Sequence, residues 1–132
     1  MDIFSPQKIK VIDIAGKGRG VLATQNIKKG ETIEVCPIIF LSKKEVSFLE
    51  KESDILKFYY LIQPEINKFC LMLGYGSLYN HSLDNPNAEI DYDINKAENY
   101  LFFKAIKDIN VGEEIVYNYQ FDNNVVDFLS LD

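Results

Sequence analysis

The sequence predicts a mainly β protein of one domain, built from short strands and tight corners. Runs rich in Ile, Val and aromatic residues, such as Thr32 to Leu41 and Phe69 to Leu73, are bounded by Gly, Asn, Asp and Pro, the usual punctuation of strands and turns. The chain also echoes itself: Ala23, Ile27, Gly30-Glu31 and Ile33 recur position for position as Ala105, Ile109, Gly112-Glu113 and Ile115. In that unit Ile packs inward and Gly supplies the φ that the turn requires, so the echo carries structure and no chemistry. Helix signals are confined to two short stretches, which argues against a Rossmann-like layering.

Composition sets the bounds. A chain of 132 residues suits a single domain, and its 47% apolar and 13% aromatic content is that of a globular protein. A domain of this size buries roughly two thirds of its unfolded surface. No apolar run approaches the ~20 residues of a membrane span. No basic-then-apolar signal opens the chain, so a soluble, intracellular protein without membrane contact is expected. Cys36 and Cys70 each sit in an apolar run and are expected as buried free thiols.

Charge is uneven. Residues 1–83 carry eleven Lys/Arg against nine Asp/Glu, whereas residues 84–132 carry three against eleven. Direct binding of nucleic acid through a basic face is not expected. The acidic part is either an ordinary solvated surface or a surface for a basic partner such as a lysine-rich peptide.

The elements follow in order. Ile9, Val11 and Ile14 lie in a β-like run after a polar start. Gly16-Lys17-Gly18-Arg19-Gly20 then stands before Val21-Leu22-Ala23, so the glycines allow positive φ and close approach of a ligand to the backbone. It is neither a P-loop nor a GxGxxG turn. Thr32 to Leu41 reads as strand. Ser42-Lys43-Lys44-Glu45 has the form of a capping box, so a helix is expected to about Glu52, broken by Ser53-Asp54. Ile55 to Ile62, with Phe58, Tyr59 and Tyr60, reads as a strand or an irregular aromatic wall ended by Pro64.

Phe69 to Leu73 reads as a buried strand, and Asn80-His81-Ser82 is expected to leave its end, ahead of the turn formers Asp84, Asn85, Pro86 and Asn87. His81, the single histidine, is either a satisfied structural group or part of a site. Ala88 to Asp93 and Tyr100 to Ile106 read as a hairpin around Asn95-Lys96. Tyr117 and Tyr119 fall on one face of a final strand, as core edges with wet hydroxyls or as an aromatic lining for a cation. Val125 to Leu131 reads as a short closing helix.

Taken together, three pieces of this chain resemble SET-domain protein methyltransferases in order and spacing. They are Gly16-Lys17-Gly18-Arg19-Gly20; Tyr79-Asn80-His81-Ser82 with Asn85-Pro86-Asn87; and Gly112-Glu113-Glu114 with Tyr119. The resemblance spans about residues 8–121, leaving a short tail at 122–132, and is closest in length to the minimal SET proteins of viruses and bacteria. It implies a β-clip-like fold of small sheets with short helices and a C-terminal pseudoknot, which brings the Asn80 and Tyr119 segments together. It implies S-adenosylmethionine as cofactor, held by Lys17, Gly18, Arg19 and Gly20 and by Asn80 and His81, with Tyr119 as the catalytic tyrosine. The lysine channel falls to Tyr59, Tyr60, Tyr75, Tyr117 and Phe121.

The implied activity is protein-lysine N-methylation of a basic substrate such as a histone or histone-like tail. The implied location is cytoplasmic in a bacterium, or nuclear or host-nuclear for a histone substrate. The cysteine-rich segments that flank many family members are absent, so no zinc is expected. The element that usually covers the channel is also nearly absent. Phe121, an aromatic among Phe58, Tyr59 and Tyr60, or a partner subunit is left to cover it, so a homodimer stays open. The alternative is a non-catalytic SET-like module that binds a peptide or partner.

Overall fold

The structure is a computed structural model that describes residues 5–93 and 98–119. Expectations for the Asn95-Lys96 turn, Phe121 and the Val125–Leu131 helix therefore lie outside the described residues.

The chain opens with a hairpin of β1 (Ile9–Ile14) and β2 (Gly18–Ala23), closed by Lys17 N–H donating to the Ile14 carbonyl (3.0 Å). Gly16 and Gly18 both take φ of +80°, the conformation the glycine spacing predicts. Strand β3 (Thr32–Leu41) has the bounds read from the sequence. It changes partner at Pro37, which has no N–H to give to a ladder. Before that point β3 pairs with β8 (Tyr100–Ala105), and after it with β5 (Lys68–Met72). Helix α1 (Lys43–Glu52) carries both halves of the expected capping box: Glu45 N–H donates to Ser42 Oγ, and Ser42 N–H to the Glu45 carboxylate.

The aromatic stretch resolves the alternative left open by the sequence. Leu56–Phe58 forms a 3-10 turn, and only Tyr60–Gln63 is strand, β4, at one edge of the pairing order. Asn80-His81 does not leave the end of β5. A loop with a 3-10 turn at Gly76–Leu78 intervenes, and the pair forms its own short strand, β6 (Asn80–His81). β6 runs parallel to β9 (Glu114–Tyr117), with Asn80 opposite Val116 and His81 opposite Tyr117. Strand β7 (Ala88–Asp91) pairs with β8 and touches β9. The pairing order is β1-β2-β9-β7-β8-β3-β5-β4, open at both ends. β9 ends at Tyr117, so Tyr119 lies past the strand on which sequence periodicity places it.

Asn87 holds β9 in place. Its Nδ2 donates to the Glu114 carbonyl (2.8 Å), its Oδ1 accepts from Val116 N–H (2.9 Å), and its own N–H donates to the Val116 carbonyl (3.1 Å). A buried asparagine thus supplies the hydrogen bonds of a neighbouring strand.

The two echo units pack against each other. Ile27 and Ile109 form a bridge with reciprocal N–H to carbonyl bonds of 2.8 Å each. Gly30 N–H donates to the Ala105 carbonyl and Gly112 N–H to the Ala23 carbonyl (2.8 and 2.9 Å). Lys29 N–H donates to Asp108 Oδ1, and Val111 N–H to Asn26 Oδ1, both at 2.9 Å. With Gly30 at φ +89° and Gly112 at +90°, the corner has local two-fold pseudosymmetry. Cys36 and Cys70 are buried free thiols, as expected; burial pushes the Cys70 thiol up to about 12.

Candidate functional site

A cleft of about 400 Å³ opens where the β1–β2 turn, β6 and the end of β9 meet the aromatic stretch that leads into β4. The first wall brings Lys17, Gly18 and Arg19 beside Asn80. The facing wall is Phe58, Tyr59, Tyr60 and Leu61. Tyr117 and Tyr119 stand between them, with ring centroids 4.7 Å apart. Sequence reading assigns eight of these residues to a site; Phe58, named only as a cover, and Leu61, Met72, Ser77, Leu78 and Tyr79 complete the lining.

The remaining candidates lie beside the cleft. Gly20 is buried behind it. His81 is exposed, and its Nδ1 accepts from Tyr119 N–H at 3.0 Å, with the two rings 4.9 Å apart. It therefore holds the backbone at Tyr119. Tyr75 packs against the core, and its N–H donates to Glu34 Oε2 (2.9 Å). Phe121 lies outside the described residues.

Two acidic side chains without an assigned site role, Glu114 of the Gly112-Glu113-Glu114 piece and Glu34, organise the cleft. Glu114, first residue of β9, accepts from Lys17 Nζ on Oε1 (2.7 Å) and from Asn80 Nδ2 on Oε2 (2.6 Å). Asn80 Nδ2 also donates to the Arg19 carbonyl (3.0 Å), so β6 is tied to the glycine turn as well as to β9. Glu34, 5% exposed, lies beneath the cleft. It accepts from Tyr75 N–H and from the Tyr79 hydroxyl (2.7 Å), and burial pushes its carboxyl above the usual 4.5. The Tyr79 ring stacks on Phe103, with centroids 3.9 Å apart.

The Tyr119 hydroxyl donates to the Tyr79 carbonyl. Burial, with Tyr59 and Glu114 adding to it, pushes that hydroxyl up to about 12, so it stays protonated near neutral pH. Burial pushes Tyr117 further up. Tyr60 lines the cleft with its ring while its hydroxyl is turned to Glu50 of α1. The arrangement offers a protonated phenol, an amide and backbone carbonyls around an aromatic slot. Among the described residues, no group of three or more His, Cys, Asp or Glu could hold a metal ion.

Known proteins resemble this chain over most of its length. The SET domain family matches residues 18–120. An H3 lysine-37 specific histone-lysine N-methyltransferase of Schizosaccharomyces pombe is 32% identical over 117 residues, covering 89% of this chain and 75% of that protein. N-lysine methyltransferase KMT5A-A of Xenopus laevis is 31% identical over 121 residues, covering 84% of this chain but only 36% of that protein. Among solved structures, a Plasmodium falciparum protein assigned as a histone methyltransferase superposes with a TM-score of 0.67 at 34% identity. That match covers 88% of this chain and 96% of the other.

Proposed function

This chain belongs to the SET-domain family of protein-lysine methyltransferases, and from that premise we propose that it transfers methyl from S-adenosylmethionine to a lysine of a basic protein, such as a histone or histone-like tail. The observation that carries the reading is the meeting of Lys17–Arg19, Asn80 and Tyr119 in one cleft. Its volume of about 400 Å³ suits a small-molecule ligand. The residues fit the donor: a turn with accessible backbone for its polar groups, the Asn80 amide beside it, and aromatic and aliphatic side chains opposite. Lys17, Gly18, Arg19 and Asn80 would hold it, with Gly20 and His81 supporting them from behind. With this reading go an intracellular location and the threading of the C-terminal segment.

The bound donor supplies an activated methyl on a sulfonium sulfur. The rest falls to the protein. A free lysine ammonium has a pKa of ~10.4, and only the neutral amine is a nucleophile. The wall of Phe58, Tyr59 and Tyr60 removes the amine from water and favours its neutral form. The proton leaves to solvent before transfer, so no strong general base is required. The Tyr119 hydroxyl donates to the Tyr79 carbonyl, which fixes the direction of its O–H, and its oxygen would accept from the amine N–H and aim the amine nitrogen. Aligning the two reacting atoms is the main contribution. The acidic residues concentrated after position 84 favour a basic substrate.

The test is transfer of labelled methyl from S-adenosylmethionine into a mixed protein lysate, with labelled residues located by mass spectrometry. Label on lysine supports the reading. Donor binding without transfer to any lysine peptide supports the binding-module alternative. Absence of donor binding overturns the proposal.

A further inference from the structure

We propose that Glu114 is a positioning residue for the methyl donor: it locks the Asn80 amide with its acceptor oxygen toward the cleft, so that the site selects a donor ending in an ammonium group. The inference rests on the functional reading above and extends it to a residue that touches no substrate itself.

An asparagine amide has two N–H donors on one end and a carbonyl acceptor on the other, and a half-turn exchanges them. Here both donors are used. One goes to Glu114 Oε2 (2.6 Å) and the other to the Arg19 carbonyl (3.0 Å). A carboxylate can only accept, so Glu114 does not tolerate the turned amide. The group that Asn80 has left to offer is Oδ1. Lys17 fixes the other oxygen of the same carboxylate at 2.7 Å and balances its charge. Glu114 thus acts as an orienter and not as a bare negative charge facing the sulfonium.

Gly20 is an independent sign that this contact is built in. It lacks the positive φ that explains most glycines, yet a Cβ there would lie 2.3 Å from Ile14 Cδ1, 2.7 Å from Glu114 Oε2 and 2.8 Å from Asn80 Nδ2. The missing side chain at position 20 leaves room for Ile14 on one side and for the Asn80–Glu114 pair on the other.

The experiment is calorimetry of wild type and Glu114→Gln with three ligands, together with the side-chain amide signals of Asn80 in the free proteins. S-adenosylmethionine and S-adenosylhomocysteine share the ammonium and differ in sulfur charge; methylthioadenosine lacks the ammonium. Glu114→Gln should weaken the first two equally, by about tenfold, the effect of one lost charge-assisted hydrogen bond. It should leave methylthioadenosine unchanged. The Asn80 amide protons should exchange slowly in wild type and quickly in the variant. Glu114→Asp, which keeps the charge but withdraws the carboxylate from Asn80 by one methylene, should reproduce the pattern if Glu114→Gln does not fold.

Unchanged affinity for S-adenosylmethionine would overturn the proposal, as would an equal loss for methylthioadenosine. Loss for S-adenosylmethionine alone would mean that Glu114 acts on the sulfonium by charge, which also contradicts it. If wild type binds none of the three, the functional reading itself has failed. The amide exchange then decides separately whether Glu114 holds Asn80.

Discussion

Two regions of this molecule solve the problem of polar backbone in opposite ways. At the echo corner, two like segments exchange like hydrogen bonds: Ile27 with Ile109, Gly30 with Ala105, Gly112 with Ala23, and Asn26 and Asp108 across the interface. Each bond there has a symmetry-related copy. At the cleft, three unlike segments meet, and unlike groups hold one another: the Asn80 amide is tied to Glu114 and to the Arg19 carbonyl, and the Tyr119 hydroxyl to the Tyr79 carbonyl. Pseudosymmetry serves the corner because identical partners complete one another. The cleft has no repeat because its proposed ligands, a donor and an amine, are different on each side.

The largest effects should come from breaking the corner. Ile27 and Ile109 are each 1% exposed. Ile27→Ala and Ile109→Ala should each lower stability by about 2–5 kcal/mol, the usual cost of such a cavity. Because the two sites are near copies, the two losses should agree closely in urea unfolding. Widely different losses would show that the pseudosymmetry is geometric but not energetic.

Asn80→Ala should separate the regions. It removes the ties to Glu114 and Arg19 while leaving the corner alone. Donor affinity should fall by about 1–3 kcal/mol, tenfold to a hundredfold. Calorimetry showing unchanged affinity in a folded variant would remove Asn80 from the site.

The sequence made the corner more legible than the cleft. The echo could be read because matching residues do matching jobs, and one step further it would have shown Asn26 and Asp108 at the same offset. What it could not show is that the two units pair with each other. Local signals also held: the bounds of β3, the capping box at Ser42 and the glycine turn each depend on neighbours in the chain. The cleft depends on distant ones. The Asn80–Glu114 contact spans 34 residues and the Tyr79–Glu34 contact 45. No periodicity reports such pairings, so Glu34 and Glu114 carry no site role in the sequence, although Glu114 stands in the Gly112-Glu113-Glu114 piece, and Asn80-His81 reads as the end of the Phe69–Leu73 strand. The family resemblance supplied the meeting of Asn80 and Tyr119, which turn chemistry alone does not reach.

A smaller effect distinguishes Glu31 of the corner from Glu34 beneath the cleft. The Lys8 ammonium beside Glu31 holds its carboxyl below the usual 4.5, whereas burial holds that of Glu34 above it. A lowered carboxyl contributes stability above its unfolded value and loses it as pH falls through the folded one. A raised carboxyl does the reverse: its contribution is complete below about 4.5 and is lost as pH rises through the folded value. Relative to wild type, Glu31→Gln should therefore cost more at neutral pH than in acid. Glu34→Gln should compare more favourably as pH rises. Urea midpoints between about pH 3 and pH 8 check both slopes, and slopes of the same sign would contradict the assignment.

The most direct measurement is kcat for methyl transfer by Tyr119→Phe and Tyr117→Phe, with donor affinity measured on the same samples. The rings of the two tyrosines are neighbours, but the hydroxyl bonded to the Tyr79 carbonyl is that of Tyr119. The account predicts a loss of about 10²–10³-fold in kcat for Tyr119→Phe, the scale of losing one hydrogen bond that acts in the transition state. Donor affinity should stay within about twofold, and Tyr117→Phe should remain active. Full activity in Tyr119→Phe, or its loss in Tyr117→Phe instead, would contradict the account.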